Sequence, residues 1–131
     1  MSWDLTEKEY QTALAMTPAE RYDYTLRKVA DWEEIWALTT EGEWVTGRDH
    51  MGRLAMPIWP HERFAADCAV GHWRLASPTA IGLGAWMNRH VKTFADAGTN
   101  IAVFDTQQGE ALFLDASEHL ADLEKELRRL Q

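Results

Sequence analysis

The sequence predicts an α+β domain: a small antiparallel sheet of four or five strands built from hairpins, with helices packed on it and at both termini. Two observations predict this class. Apolar residues recur with helical spacing near both ends of the chain, and short runs rich in aromatic and β-branched residues lie between them. The elements do not follow the strict strand–helix–strand alternation of a doubly wound parallel sheet. With 131 residues, we expect a single domain, residues 1–131.

Two helices are predicted at the N-terminal end. Thr6 followed by Glu9 is a capping-box pattern, so a first helix should run to about Met16. The segment Thr17-Pro18-Ala19-Glu20 is a stronger start signal. Its threonine can cap, its proline suits the first helical position, and its glutamate can reach back to the cap. The apolar spacing that follows predicts an amphipathic helix to about Trp32.

The middle of the chain is typical of strands. Ile35–Thr39 and Trp44–Gly47 are short and rich in aromatic or β-branched residues, and Thr40-Glu41-Gly42 separates them as a hairpin turn. Leu54–Trp59 predicts another strand. Pro57 inside it indicates an edge, a bulge or the end of that strand.

The second half of the chain predicts short helices, a second hairpin and a last helix. In order, these are a helix from Pro60 to Gly71, an irregular stretch 72–82 with a turn at Ser77-Pro78, a helix through Met87–Phe94 closed by Gly98, a hairpin of Ile101–Phe104 and Ala111–Leu114 around Gln107-Gln108-Gly109, and a helix capped by Ser117. The last helix carries a leucine stripe formed by Leu120, Leu123, Leu127 and Leu130.

The composition argues against several functions. Thirteen Lys and Arg against 21 Asp and Glu give a formal net charge of −8, which disfavours sequence-independent nucleic-acid binding. No apolar run approaches the roughly 18–20 residues that span a bilayer, and no signal-peptide pattern is visible. The single cysteine, Cys68, fits a reducing compartment. We therefore expect a cytoplasmic protein without nucleic-acid or membrane partners and with no cofactor.

The charge is unevenly distributed along the chain. Residues 1–47 hold ten acids and four bases, residues 48–92 hold three acids and six bases, and residues 93–131 hold eight acids and three bases. Five acids and no base fall between Asp31 and Glu43. Acidic faces keep small proteins soluble, and they can also steer a basic partner. Both interpretations stay open.

Three segments carry a resemblance to a known family. They are RYDYTLRKVADWEEIWAL from Arg21 to Leu38, PIWPHERFAA from Pro57 to Ala66, and IAVFDT from Ile101 to Thr106. In this order and spacing, the chain resembles the bacterial family known as domain of unknown function 2750. The resemblance implies a compact bacterial domain and carries over no activity. It also implies a proline at position 105, where this chain has Asp105, and the loop 47–53 departs from the family pattern.

No set of residues predicts a catalytic centre or a metal site. His61, Cys68 and His72 lack the paired ligand spacing of a structural zinc site, and Cys68 lies on an apolar helix face, where a thiol is inert. Glu33 with Glu34, or Glu41 with Glu43 across the hairpin from them, could supply paired carboxylates for acid–base chemistry. Exposed acids beside buried aromatic residues are the plainer interpretation. We therefore expect no catalytic residue and no metal.

The seven tryptophans are the least ordinary feature of the sequence. Trp36, Trp59 and Trp86 are the best candidates for the core, whereas Trp32 and Trp44 flank the acidic segment. Tryptophan is favoured at interface hot spots. The sequence therefore predicts an acidic, Trp-containing binding face, whose predicted residues are Asp31, Trp32, Glu33, Glu34, Glu41, Glu43, Trp44, Trp59 and His61.

These observations lead to one functional hypothesis and two alternatives. The first is a non-enzymatic module that binds a basic protein through the acidic face, for example an immunity-type inhibitor of a basic toxin. The second is a small-molecule site or enzyme with an aromatic cleft around Trp44, Trp59, His61 and Trp73. The third is self-association through the C-terminal leucine stripe, so a monomer or a weak dimer is expected.

Overall fold

The computed structural model describes residues 2–108 and 110–130. Its helices are α1 (Glu7–Leu14), α2 (Pro18–Trp32), α3 (Glu62–Asp67), α4 (Leu83–Ala85), α5 (Val91–Ala97) and α6 (Ala116–Arg129). Its strands are β1 (Glu34–Thr40), β2 (Glu43–Trp44), β3 (Gly47–Arg48), β4 (Leu54–Ile58), β5 (Ser77–Gly82), β6 (Asn100–Val103) and β7 (Leu112–Leu114). A π-helical turn, Trp86–His90, joins α4 to α5, and Gly71–Trp73 forms a short 3-10 helix. No helix within these ranges is long and apolar enough to cross a membrane.

The strands form two sheets, and the predicted α+β class is confirmed. β2, β1 and β5 form an antiparallel sheet in that order, while β3, β4, β6 and β7 form a mixed sheet. The arrangement within the class differs from the single antiparallel sheet expected from the sequence, because β4 and β6 run parallel. A parallel pair needs a long crossover between its strands. Here α3, β5 and the α4–α5 segment provide that crossover.

The prediction that residues 72–82 are irregular is wrong for Ser77–Gly82, which form strand β5. This strand pairs with β1 along its whole length, from Glu34 opposite Gly82 to Thr39 opposite Ser77. β5 lies at the edge of its sheet, and Pro78 is tolerated there because an edge strand leaves half of its N–H groups unpaired. The Ser77-Pro78 pair therefore begins a strand and does not form the predicted turn.

The two sheets are joined by a single antiparallel bridge between tryptophans. The N–H of Trp36 donates to the carbonyl oxygen of Trp59 over 2.9 Å, and the N–H of Trp59 donates to the carbonyl oxygen of Trp36 over 2.8 Å. Trp59 follows β4, so the bridge ties the middle of one sheet to the end of the other. The two sheets consequently share one core.

The helix starts follow the predicted chemistry in the N-terminal half. Thr6 caps α1 by accepting from the N–H of Glu9, and Thr17 and Glu20 form the complete capping box of α2. Local side-chain hydrogen bonds decide these boundaries, so the sequence alone predicts them.

Three predicted boundaries in the second half need correction. The helix predicted from Pro60 to Gly71 is α3, which begins at Glu62 with His61 as its N-cap and ends at Asp67. Asp115, and not Ser117, caps α6, since its carboxylate accepts from the N–H groups of residues 117 and 118. The β6–β7 hairpin is present, but Gly109 of its predicted turn lies outside the described residues.

Of the three tryptophans predicted to lie in the core, two are fully buried. Trp59 and Trp86 are fully buried, whereas Trp36 is half-buried. Most of the leucine stripe of α6 is covered within the chain: Leu123 is buried, and Leu120 and Leu127 pack partly against the core. Only Leu130, at the end of the stripe, is mainly exposed.

Candidate functional site

The predicted acidic face is divided between the two ends of β1. Asp31 and Trp32 lie in the last turn of α2, and Glu33 follows as its C-cap with a left-handed φ of 58°. All three are exposed, and Trp32 retains 41% of its surface in water although its ring lies 6.2 Å from that of Trp3. Glu34 begins β1 and accepts hydrogen bonds from the hydroxyl of Ser2 and the indole of Trp36.

The remaining acids of the segment lie at the far end of that strand. Glu41 is in the β1–β2 turn and Glu43 begins β2. β1 is seven residues long, which at about 3.3 Å per residue separates them from Glu34 by roughly 20 Å. The partner of Glu34 across the sheet is Gly82 and that of Glu43 is Thr40, so the expectation that Glu41 and Glu43 lie across the hairpin from Glu33 and Glu34 is wrong.

The aromatic residues of the predicted cleft do not share one cavity. Trp44 is half-buried with its ring 5.6 Å from that of His90. Trp59 is fully buried and donates its indole N–H to the carbonyl oxygen of Asp105 over 2.9 Å. Nδ1 of His61 accepts from the N–H of residue 63, and its Nε2 lies 3.0 Å from the carbonyl oxygen of residue 3. Trp73 lines a separate cleft of about 50 Å³.

A much larger cavity, of about 700 Å³, opens between α1, α3 and the segment that follows β6. It is called the Arg21 cavity below. Charged, amide, aromatic and aliphatic side chains line it. The lining residues are Tyr10, Gln11, Leu14, Ala15, Met16, Pro18, Arg21, Phe64, Asp67, Phe104, Asp105, Thr106, Gln107, Gln108 and Glu110. Ligand sites in proteins commonly have volumes of about 300–1,000 Å³.

Arg21 forms the back of this cavity and is only 3% exposed. Its Nε donates to the carbonyl oxygen of Phe104 over 3.1 Å, one Nη donates to that of Met16 over 2.6 Å, and the other donates to that of Glu110 over 2.5 Å. One guanidinium group thereby joins the backbone that follows α1 to the two ends of the segment between β6 and β7, at residues 104 and 110. Burial lowers the pKa of Arg21, and the charge of Asp105 opposes that effect.

Two neighbouring residues beside Arg21 are energetically unfavourable: Phe104 in its backbone conformation and Asp105 in the burial of its carboxyl group. Phe104 has a φ of 57°, a left-handed conformation that non-glycine residues rarely adopt, and its side chain is fully buried. Burial raises the pKa of the Asp105 carboxyl, although the N–H of Thr106 donates to it over 2.9 Å and Arg21 lies near it. Strained backbone and perturbed carboxyl groups concentrate at functional sites.

The rim of the cavity is held by a network between α1 and α3. The hydroxyl of Tyr10 donates to the carboxylate of Asp67, and the side chain of Gln107 donates to the carbonyl oxygen of Asp67 over 2.6 Å. The guanidinium of Arg63 lies 3.5 Å from the centre of the Tyr10 ring and pairs with Glu7 over 2.9 Å. These contacts fix the side chains at the entrance.

Three aromatic rings contact one another in turn at the cavity. The rings of Tyr10 and Phe64 stack with centroids 5.4 Å apart, and the rings of Phe64 and Phe104 lie 4.5 Å apart. The Phe64 and Phe104 side chains are fully buried, so the apolar surface that a ligand can reach is that of half-buried Tyr10, Leu14 and Met16.

The cysteine thiol that adjoins Asp105 is not activated. Cys68 lies behind Asp105, and its thiol donates to the carbonyl oxygen of Asp105 over 3.3 Å. Burial raises the pKa of this thiol to about 12, so it stays protonated at neutral pH and is a poor nucleophile. Within residues 2–108 and 110–130, no three His, Cys, Asp or Glu side chains are grouped so that they could hold a metal ion.

The sequence contains only one signal that points towards this cavity. Arg21, Tyr10 and Asp67 are ordinary charged or aromatic residues in helices, and their convergence depends on tertiary contacts across up to 89 residues. Asp105 was noted only as a departure from the pattern expected from the family resemblance. That position is now the carboxylate beside Arg21.

The fold and the cavity define a small α+β protein with a ligand-sized site between its helices and its mixed sheet. A family model described as "Protein of unknown function (DUF2750)" matches residues 22–123, so the chain belongs to this family. The match includes Phe104 and Asp105 but begins after Tyr10 and Arg21. No curated protein matches the chain.

Proposed function

We propose that this protein is a small-molecule-binding domain and that the Arg21 cavity is its binding site. One observation carries the proposal: a buried arginine, a left-handed Phe104 and a half-buried Asp105 meet at a cavity of about 700 Å³. Each of these states is unfavourable for folding, and proteins retain such states where function needs them.

A thermal-shift panel of charged and neutral metabolites tests the proposal. A ligand at 100 times its dissociation constant stabilises a protein by about 2.7 kcal/mol. The matched variants are Gln11→Trp and Thr12→Trp, both at exposed positions of α1, of which only residue 11 lines the cavity. Gln11→Trp should abolish the stabilisation and Thr12→Trp should preserve it. A panel without any stabilising compound, or equal effects of the two variants, would count against the Arg21 cavity.

The exposure of Trp32 supports a second candidate function. A tryptophan with 41% of its surface in water, flanked by exposed Asp31 and Glu33, suits a basic protein partner. We propose for this surface the binding of a basic protein, of which a toxin neutralised by an immunity-type inhibitor is one form. The surface is limited to residues 31–33, because the acids of the β1–β2 turn lie at the other end of the strand.

Capture of partners at low and high salt tests the second candidate. One stoichiometric basic protein that is lost as the salt concentration rises should bind the unmodified chain, and the double variant Asp31→Lys with Glu33→Lys should bind it more slowly and with less salt dependence. The double variant Asp96→Lys with Glu124→Lys, an equal charge change at exposed positions of α5 and α6, is the control. Unchanged association by the double variant would remove this surface from consideration.

A further inference from the structure

We propose that the ligand of the Arg21 cavity is an organic cation whose ammonium group pairs with the carboxylate of Asp105 while its carbon skeleton lies on the half-buried apolar lining of Tyr10, Leu14 and Met16. This inference rests on the proposed function, since it names the ligand chemistry of the same cavity. It depends on the charge of the lining, on the contacts that occupy Arg21, and on the apolar surface of the same cavity.

The lining of the cavity carries more negative than positive charge. Asp67, Asp105 and Glu110 are its acids, and Arg21 is the one base among the lining residues that the structure describes. At neutral pH a ligand that enters therefore meets a net negative surface within a protein whose formal charge is already −8. Charge complementarity favours a cation.

Arg21 does not neutralise these carboxylates by direct contact. Its Nε and both Nη atoms donate to backbone carbonyl oxygens, and none of the ion pairs within residues 2–108 and 110–130 includes it. Its role is to hold the backbone of residues 104 and 110 in place. The guanidinium group thus shapes the cavity and leaves the carboxylates available to a ligand.

Among the three acids, Asp105 is the one placed to bind a charged group away from bulk water. Its Oδ1 accepts from the N–H of Thr106, and it forms no ion pair among the described residues. Asp67 accepts the hydroxyl of Tyr10 at the rim, and Glu110 is exposed with one oxygen 3.6 Å from the imidazole of His50. A charge-assisted hydrogen bond gains most where the carboxylate is partly desolvated.

The surroundings of Asp105 favour an organic cation over an inorganic one. Half-buried Tyr10, Leu14 and Met16 line the same cavity, so apolar surface is open to a ligand there. A hydrated metal ion would gain nothing from this surface, whereas a hydrocarbon skeleton is stabilised by about 25 cal/mol for each Å² that it buries. The described residues also provide no group of three metal-binding side chains.

Three compounds that share one skeleton test the inference: 2-phenylethylamine, 2-phenylethanol and 3-phenylpropanoate. Their binding is followed by the amide NMR shifts of residues 104–107 in the full chain. We expect the amine to bind at least tenfold more tightly than the alcohol, and the carboxylate to bind more weakly than either. Asp105→Asn should remove the advantage of the amine, because its amide is uncharged. Asp96→Asn, at an exposed position outside the cavity, should retain it.

The outcomes separate this inference from the proposed function. Equal binding of amine and alcohol, tighter binding of the carboxylate, or an unchanged amine preference in Asp105→Asn overturns the cation while the shifts still show a ligand site. Absence of shifts with all three compounds also overturns the cation. In that case the metabolite panel with Gln11→Trp and Thr12→Trp decides independently whether the cavity binds small molecules.

Discussion

The indole Nε1 of Trp86 donates a hydrogen bond to Nε2 of His119 over 3.0 Å in the buried interface between the π-helical turn and α6. Since that nitrogen accepts, the proton of the neutral imidazole lies on Nδ1, which is 3.4 Å from the hydroxyl oxygen of Tyr22. The hydroxyl of Tyr22 in turn donates to Asp122 over 2.7 Å. This chain of hydrogen bonds requires an uncharged His119.

The state of His119 predicts a loss of stability in mild acid. Burial lowers its pKa to about 4 in the folded protein, against about 6.5 in an unfolded chain. Above pH 6.5 both states are neutral at this residue and its full contribution is present. As the pH falls towards 4, the unfolded state binds the proton first, and the free energy of unfolding should drop by about 3 kcal/mol from this residue. Urea unfolding across this pH range measures the change.

Two substitutions isolate the contribution of His119. His119→Gln should be less stable at neutral pH and should lose this part of the pH dependence, because it removes the titrating group. His72→Gln, at an exposed position, should keep the dependence of the unmodified protein. The same slope in His119→Gln as in the unmodified protein would show that another group is responsible.

Arg21→Lys tests the three carbonyl contacts behind the cavity. A lysine ammonium is a point donor and cannot reproduce the fork that joins residues 16, 104 and 110. The substitution should lower the free energy of unfolding by about 2–4 kcal/mol, because buried carbonyl oxygens lose charge-assisted donors. Arg27→Lys, on the exposed face of the same helix, should change it by less than about 0.5 kcal/mol. Chemical denaturation of both variants makes the comparison.

Asp115→Ala and Ser117→Ala distinguish the observed cap of α6 from the predicted one. The carboxylate of Asp115 accepts from the N–H groups of residues 117 and 118 over 2.9 and 3.1 Å. Its removal should destabilise the protein by about 1 kcal/mol, since loss of an N-cap commonly has this effect. Ser117→Ala should be neutral or slightly stabilising, because alanine is the better helix former. Thermal unfolding that ranks the two variants in the opposite order would restore Ser117 as the cap.

Glu41→Asn should stabilise the first hairpin. Glu41 and Gly42 have φ values of 53° and 80°, as a two-residue type I′ turn requires. Asparagine adopts the left-handed region more readily than glutamate, so we expect a gain of about 0.5–1 kcal/mol in the free energy of unfolding. Glu43→Asn, in the extended strand β2, should give no gain, because asparagine is disfavoured in strands.

Local chemistry made the N-terminal helices predictable from the sequence. The limits predicted for α2 match the observed Pro18–Trp32, because Thr17 and Glu20 cap each other within one turn. Strand β5 was missed for the opposite reason. Ser77-Pro78 resembles a turn when considered alone, and its extended conformation depends on pairing with β1, about 40 residues earlier in the chain.

The candidate cavity was beyond local prediction for a related reason. Arg21 contacts Phe104 across 83 positions, and neither residue type signals a partner of the other. The unusual states of Phe104 and Asp105 arise from burial and backbone conformation, which composition and spacing do not encode. The acidic segment was recognised correctly as a run of charge. Its division between the two ends of β1 follows from the length of that strand, which runs from Glu34 to Thr40 and extends one residue beyond the predicted Ile35–Thr39 at each end.

The parallel pairing of β4 with β6 has a consequence for the order of assembly during synthesis. Ala55 in β4 lies opposite Asn100 in β6, so the edge of β4 that pairs with β6 stays unpaired until 45 further residues have been synthesised. Closing so large a loop slows folding, and an apolar strand awaiting its neighbour favours aggregation. A chain that stops before residue 100 retains β4 without the strand that covers it.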